Sequence, residues 1–251
     1  MLSKTQIKYI QSLFHKKFRE QYREYLIEGP KMLWEAIASQ QKEIRSVYAL
    51  SDWADQHADL TKTLGKEIVQ VTEGEMRKIS SLSNPGPVLA IMGMRIIPEV
   101  ESFQGITLLL DGIQDPGNLG TMIRTADWFG IQHLICGEGC VDCYNPKVIQ
   151  STMGSIFRMN INYTSLGPFL SKHRDIPVLA SSLDGTPMDK ADKPGRAFLI
   201  IGNESRGVSE ALMKEASLKI RIPGGGEAES LNAAVAAGIL LYWITRSGFV
   251  N

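Results

Sequence analysis

Apolar and polar residues alternate along this chain in two rhythms. Over residues 3–20 the apolar positions Ile7, Ile10, Leu13 and Phe14 recur at helical spacing among lysines, which predicts one basic amphipathic helix. Short apolar runs closed by turn residues follow. They predict the strands YLIEG, SVYALSD, EIVQV and PVLAIM, with helices over 30–40, opened by Pro30, and over 73–82. From residue 106 the runs lengthen: ITLLLD, IQHLIC, MNIN, PVLASS, AFLIIG and LKIRI read as strands, with helices expected over 118–130, 146–156, 165–173, 208–215 and 230–245. Strands that are apolar throughout and separated by helices predict a parallel sheet covered on both faces. The stretch GMRIIPEVESFQG, beginning at Gly93, mixes Gly, Pro and charge and reads as a linker. The expected organisation is therefore α/β throughout, with a small α/β domain at 1–94, a linker at 95–105 and a parallel-sheet domain at 106–251.

Composition narrows the function classes. The chain has 251 residues, 43% of them hydrophobic and 22% charged, enough for a real core, and its formal net charge of zero argues against coating nucleic acid by bulk charge. A local basic patch exists all the same, because residues 1–31 hold seven Lys and Arg against three Glu. No apolar run reaches the length of a membrane helix, and the first residues lack the apolar centre of a signal peptide, so a cytoplasmic protein is expected. His15, His57, His133 and His173 are scattered without zinc-like spacing, and no metal is expected. Cys136, Cys140 and Cys143 stand in C-x3-C-x2-C spacing, which resembles the cluster motif of radical S-adenosylmethionine enzymes. The aromatic residue common before that motif's last cysteine is absent, with Asp142 in its place. Cys136 also closes an apolar strand, where a free cysteine is often a small buried hydrophobe.

In parallel sheets ligands sit at the carboxyl ends of the strands, which directs attention to three loops. In DGIQDPGNLG, Asn118 stands where a helix begins and is expected to cap it. Leu119, Met122, Ile123, Ala126 and Phe129 then form a buried stripe, with Thr121, Arg124, Thr125 and Trp128 in a second stripe beside it. Taken alone, Arg124 reads as a surface ion-pair partner or as an arginine gripping a phosphate. In IIGNESRGVSE a strand ends at Gly202, and Glu204 follows where it can accept hydrogen bonds from a ligand or orient a neighbouring basic group. In IPGGGEAESLNAAVAAGILLYWI three glycines permit close backbone approach, and Ser230 and Asn232 open a helix rich in Ala. No G-x-x-x-x-G-K-[ST] and no G-x-G-x-x-G follows a strand, so a polyphosphate site is not indicated.

Together and in this order the loops resemble the SpoU, or TrmH-like, RNA 2'-O-ribose methyltransferases. The resemblance rests on Asn118, Gly120, Arg124, Thr125 and Ala126, on Gly202, Glu204 and Gly207, and on Ile222, Pro223, Ser230, Leu231 and Asn232. NPKVIQSTMGSIF is similar to the family's intervening helix, and the whole resemblance spans residues 106–247. Gly224, Ala233 and Ala234 depart from its usual residues. The N-terminal part, through KKFREQYREYLIEGPKMLWEAI, resembles an L30e-like substrate domain. The resemblance implies a SPOUT domain with a C-terminal trefoil knot, a homodimer and S-adenosylmethionine held by Ile201, Gly202, Ile222, Leu231 and Asn232. It implies that Arg124, Asn118, Glu204, Ser230 and Asn232 carry the chemistry on a ribose 2'-hydroxyl of structured RNA, ribosomal ahead of transfer RNA. Lys16, Lys17, Arg19 and Arg23 are the expected phosphate contacts. The alternatives are a non-catalytic RNA-binding protein of the same fold and an iron–sulfur enzyme built on the three cysteines.

Overall fold

The computed structural model describes residues 1–98, 100 and 102–246; two residues of the expected linker and the last five of the chain lie outside them. The described chain divides into two units, one formed by Met1–Ile96 with Asp142–Phe157, the other by Ile97–Val141 with the chain from Arg158 on.

The first unit begins with α1 (Lys4–Ser12), closed at its start by a Ser3–Gln6 capping box, and α2 (Lys16–Tyr22). The single helix expected over 3–20 is thus broken at Leu13–His15. The break has a physical reason in Arg19, which is buried to 2% exposure in α2. Its Nη1 donates to the carbonyls of Leu13 and Phe14 at 2.9 and 2.8 Å, acceptors that a continuous helix would have consumed. After α2 come β1 (Glu24–Glu28), α3 (Pro30–Gln40), β2 (Ile44–Leu50), α4 (Ser51–Gln56), α5 (Leu60–Leu64), β3 (Ile68–Val71), α6 (Glu73–Ile79) and β4 (Val88–Gly93). The four expected strands are present, and α4 and α5 are additional. The sheet order is β1-β4-β2-β3, antiparallel except for the β2–β3 pair. Ile10 and Leu13 pack with Met76 and Ile79 of α6 and with Leu89 and Ile91 of β4.

The second unit starts with β5 (Ile106–Asp111), α7 (Pro116–Trp128) and β6 (His133–Cys136). Leu119, Met122, Ile123 and Ala126 are fully buried, as their spacing predicts, while Phe129 at the end of the stripe is half-buried. Each of the larger three contributes about 1.5–3 kcal/mol by burial. That outweighs the helical penalty of about 1 kcal/mol at each of Gly117 and Gly120. The chain then re-enters the first unit, where α8 (Pro146–Thr152) packs on β1, Tyr144 meets Tyr25 at 4.5 Å, and Asp142 accepts both Nε and Nη2 of Arg19 at 3.0 and 2.6 Å. The helix expected over 146–156 stops at Thr152, where Met153 turns into the left-handed region at φ 51° and Gly154 follows at φ 99°.

Back in the second unit follow β7 (Asn160–Tyr163), α9 (Leu166–Lys172), β8 (Val178–Pro187), β9 (Ala197–Gly202), α10 (Glu210–Glu215), β10 (Leu218–Arg221) and α11 (Ala233–Thr245). All six strands are parallel in the order β10-β8-β9-β5-β6-β7, which bears out the parallel sheet expected from the apolar runs. Phe103, Leu109, Ile135, Phe198 and Ile200 pack with Leu166 and Leu170 of α9 and Leu212 of α10. Strand order reverses between β5 and β9, which opens a crevice at their carboxyl ends. No helix of the described residues is long and apolar enough to cross a membrane.

Candidate active site

The loops after β5, β9 and β10 converge at that crevice. α7 is capped by Asp115, whose side chain accepts the Asn118 N–H at 2.8 Å. Asn118, expected as the cap, instead lies in the first turn with its side chain free to bridge. Asn232 caps α11, its Oδ1 accepting the N–H groups of Ala234 and Val235 at 2.9 and 3.3 Å. This leaves Asn232 Nδ2 to donate to Asn118 Oδ1 at 2.9 Å, and Asn118 Nδ2 to donate to Glu204 Oε1 at 2.9 Å. Glu204 Oε1 accepts and the cap uses the other Asn232 atom, so the chain Asn232→Asn118→Glu204 has one consistent direction. Three loops far apart in sequence are held by two side-chain hydrogen bonds.

Glu204, at one end of this bridge, also lines a pocket of about 500 Å³. Ile201, Gly202 and Glu204 line it from β9 and its loop, Ile222, Ser230 and Leu231 from the loop after β10, and Ala233, Ala236 and Leu240 from α11. Gly202 is required by space, because a Cβ there would lie 2.1 Å from Gly207 C and Val208 N. Gly224, Gly225 and Gly226, expected to allow close approach, have nothing within 4 Å of a Cβ position, so close packing is the task of Gly202. Arg124 is exposed, makes no hydrogen bond or ion pair among the described residues and does not line the pocket. The structure brings Asn118, Glu204, Ser230 and Asn232 together and leaves Arg124 outside.

Sequence reading missed one wall of the pocket and the tethers of its rim. β8 pairs with β10 through Ala180, then resumes at Thr186, so Ser181–Gly185 bulges outward and Ser181, Ser182, Leu183 and Asp184 line the pocket. Only the SSLDG turn composition hinted at this. Asn203, 9% exposed, donates to the Gly112 carbonyl at 2.7 Å and accepts the N–H groups of Ser205 and Arg206, tying the β9 loop to the β5 loop. Asp111 accepts the Ser209 N–H at 2.7 Å. Cys140 Sγ accepts the Ile113 N–H at 3.3 Å, and its hydrogen bond with Cys136 holds the thiol below the ordinary cysteine value, against the opposing effect of burial. That sulfur thus bonds to the β5 loop. Among the described residues no group of three or more His, Cys, Asp or Glu is arranged to hold a metal ion.

Of the expected phosphate contacts, Lys16, Lys17 and Arg23 are exposed. Arg19 is the correction: its guanidinium is buried against Asp142 and two carbonyls, and in this arrangement it offers nothing to a phosphate.

Apolar walls, backbone-lined rims and the lack of a glycine loop on a helix N-terminus fit a nucleoside without a polyphosphate. Ile201, Ile222 and Leu240 give the pocket apolar surface, and Glu204 and Glu229 bring two carboxylates to its lining. A pocket at the carboxyl ends of a parallel α/β sheet is where enzymes of this architecture bind a cofactor. Residues 105–242 match the SpoU rRNA methylase family, and residues 4–90 match the MRM3-like substrate binding domain. The chain belongs to the SpoU family and is an S-adenosylmethionine-dependent RNA ribose 2'-O-methyltransferase. It is 34% identical over 234 residues to the 23S rRNA (guanosine(2553)-2'-O)-methyltransferase RlmP of Bacillus subtilis (strain 168), covering 92% of each chain. Among solved structures, the AdoMet-bound rRNA methyltransferase from Sinorhizobium meliloti is 31% identical with a TM-score of 0.88, covering 100% of this chain and 98% of that one. The AdoMet complex of the SpoU methyltransferase AviRb from Streptomyces viridochromogenes is 25% identical with a TM-score of 0.85, covering 98% of both.

Proposed function

We propose that the substrate is ribosomal RNA and that the crevice between the β5, β9 and β10 loops is where its ribose is methylated. The observation that carries this reading is the Asn232–Asn118–Glu204 bridge, which ends at a pocket lined by the β9 and β10 loops. Ile201, Gly202, Ile222 and Leu231 hold the cofactor, which when bound supplies an electrophilic methyl group. Asn118, Glu204, Ser230 and Asn232 orient the ribose and the rim, and such positioning carries much of the rate. A guanidinium is a poor general base and a good planar anion clamp, which sets the part Arg124 can play. It clamps the phosphate next to the reacting 2'-hydroxyl and stabilises the developing alkoxide, while that phosphate takes the proton.

Arg124 reaches a site through a homodimer. Trp128, Val235 and Tyr242 are 81, 51 and 51% exposed on α7 and α11, helices that pack together, and Phe129 meets Tyr242 at 6.3 Å. A patch of this kind favours burial against a second copy, and Arg124 shares the α7 stripe with Trp128. The segment from β10 through α11 is the part assigned to a trefoil knot. The unit at the N-terminus, with Lys16, Lys17 and Arg23, holds the RNA. In this reading the protein acts in the cytoplasm.

The test is transfer of labelled methyl from S-adenosylmethionine to ribosomal RNA from cells lacking the gene, followed by mapping of the 2'-O-methyl site. Arg124→Ala is expected to abolish transfer while cofactor binding, measured by calorimetry, persists. Full transfer by that variant would remove Arg124 from the reaction.

A further inference from the structure

The first unit carries a second cleft, of about 500 Å³, where α2 ends and β4 runs out. Tyr22, Arg23, Arg45, Met94 and Ile96 form its sides. Three features mark it as a built surface. Tyr22 is 42% exposed yet its ring is held, at 5.3 Å and nearly perpendicular to Tyr9 and at 6.3 Å and nearly parallel to Phe18, with Lys17 over the Phe18 ring. Arg23 closes α2 in the left-handed region, at φ 54°, a position that glycine or asparagine usually takes. The Arg45 guanidinium lies across Gly93, where any other residue's Cβ would displace it, and is bonded to Glu43 at 3.0 Å. Ile96, 84% exposed, leaves an apolar edge beside these cations.

Resting on the reading that this unit holds the RNA, we propose that the cleft takes an unpaired nucleobase of that RNA. The base stacks on Tyr22 between the apolar Met94 and Ile96, and the flanking phosphates lie on Arg23, Arg45 and Lys17. A held ring loses little freedom when a base stacks on it, and every base offers a π-face, so the site prefers single-stranded over paired RNA rather than one sequence. Glu24 and Glu43, also at the cleft, are acceptors for base amino groups. Glu24 already accepts from the Tyr9 hydroxyl, which keeps the floor of the cleft in place.

The probe is a fluorescein-labelled mixed-sequence 12-mer RNA, single-stranded and annealed to its complement, titrated with the full chain at several KCl concentrations. Tyr22→Ala is expected to weaken single-strand binding by about 10-fold or more and duplex binding by less than about twofold, with the salt dependence unchanged. Tyr22→Phe should restore it. Arg45→Gln should weaken both forms and lower the salt slope by about one. Should Tyr22→Ala fail to fold, Ile96→Ser, a neutral change at a side chain too exposed to support the core, is expected to give the same single-strand-selective loss. Unchanged single-strand affinity in these variants, or equal losses for strand and duplex, would overturn the proposal. Methyl transfer to ribosomal RNA by the unaltered chain is measured alongside. Its absence refutes the substrate reading, whereas its presence together with unselective losses refutes the cleft alone.

Discussion

Asn232 holds two tasks that substitution can separate. Its Oδ1 caps α11 and its Nδ2 bonds Asn118. Asn232→Ala removes both. Loss of the cap costs about 1 kcal/mol and loss of the neutral side-chain bond about 1 kcal/mol more, so Tm should fall by about 4–8 °C for a chain of this size. Asn232→Asp keeps the cap, since Asp ranks with Asn there and its charge suits a helix N-terminus. It cannot donate to Asn118. To satisfy the new carboxylate Asn118 must flip, which turns its own oxygen toward the Glu204 carboxylate, and the bridge opens. This variant should hold its Tm within about 2 °C, yet lose transfer by about 100-fold, the scale of a reacting group misplaced by one ångström. Calorimetry and labelled-methyl transfer read the two effects. Full transfer by Asn232→Asp, or a Tm loss matching that of Asn232→Ala, would refute the assignment of the bridge to positioning.

Other consequences are equally open to measurement. Arg19→Ala strands Asp142 and two carbonyls in the interior and should destabilise the fold by about 3–5 kcal/mol in urea titration, whereas the Arg19→Met, Asp142→Leu pair should recover most of it. Hydrogen bonds from the backbone N–H groups of Thr72 and then Leu2 hold the Glu75 carboxyl below the ordinary glutamate value. A carboxylate depressed in the folded state stabilises above its unfolded pKa, and the contribution disappears as pH falls through the folded value. Urea stability should therefore drop below about pH 4.5 with a slope that Glu75→Gln reduces. Trp128→Glu, at an 81% exposed side chain, should leave the fold intact and give a monomer by sedimentation.

Much of the fold was legible because it depends on local period. Four of the five residues of the α7 stripe are buried where its spacing named them, and the six predicted strands became six parallel strands. Helices α4 and α5, of six and five residues, escaped because they are too short to show a helical period. Of the candidate site, Asn118, Glu204, Ser230 and Asn232 were named from motifs. Asn118 was given the cap that belongs to Asp115, since both residue types cap helices and only geometry chooses between neighbours.

What the sequence by itself determined was most elements with a long enough period, the parallel sheet, the three loops that meet at the crevice and the family. Tertiary structure alone decided where side chains with distant partners point. Arg19 carried the same charge as Lys16 and Lys17 in the basic helix, but Asp142, 123 residues further on, and two freed carbonyls drew it inside. The β8 bulge became a pocket wall only because β10 pairs on both sides of it. Periodicity reports which face of an element is apolar, and a long-range hydrogen bond is specified by no local pattern.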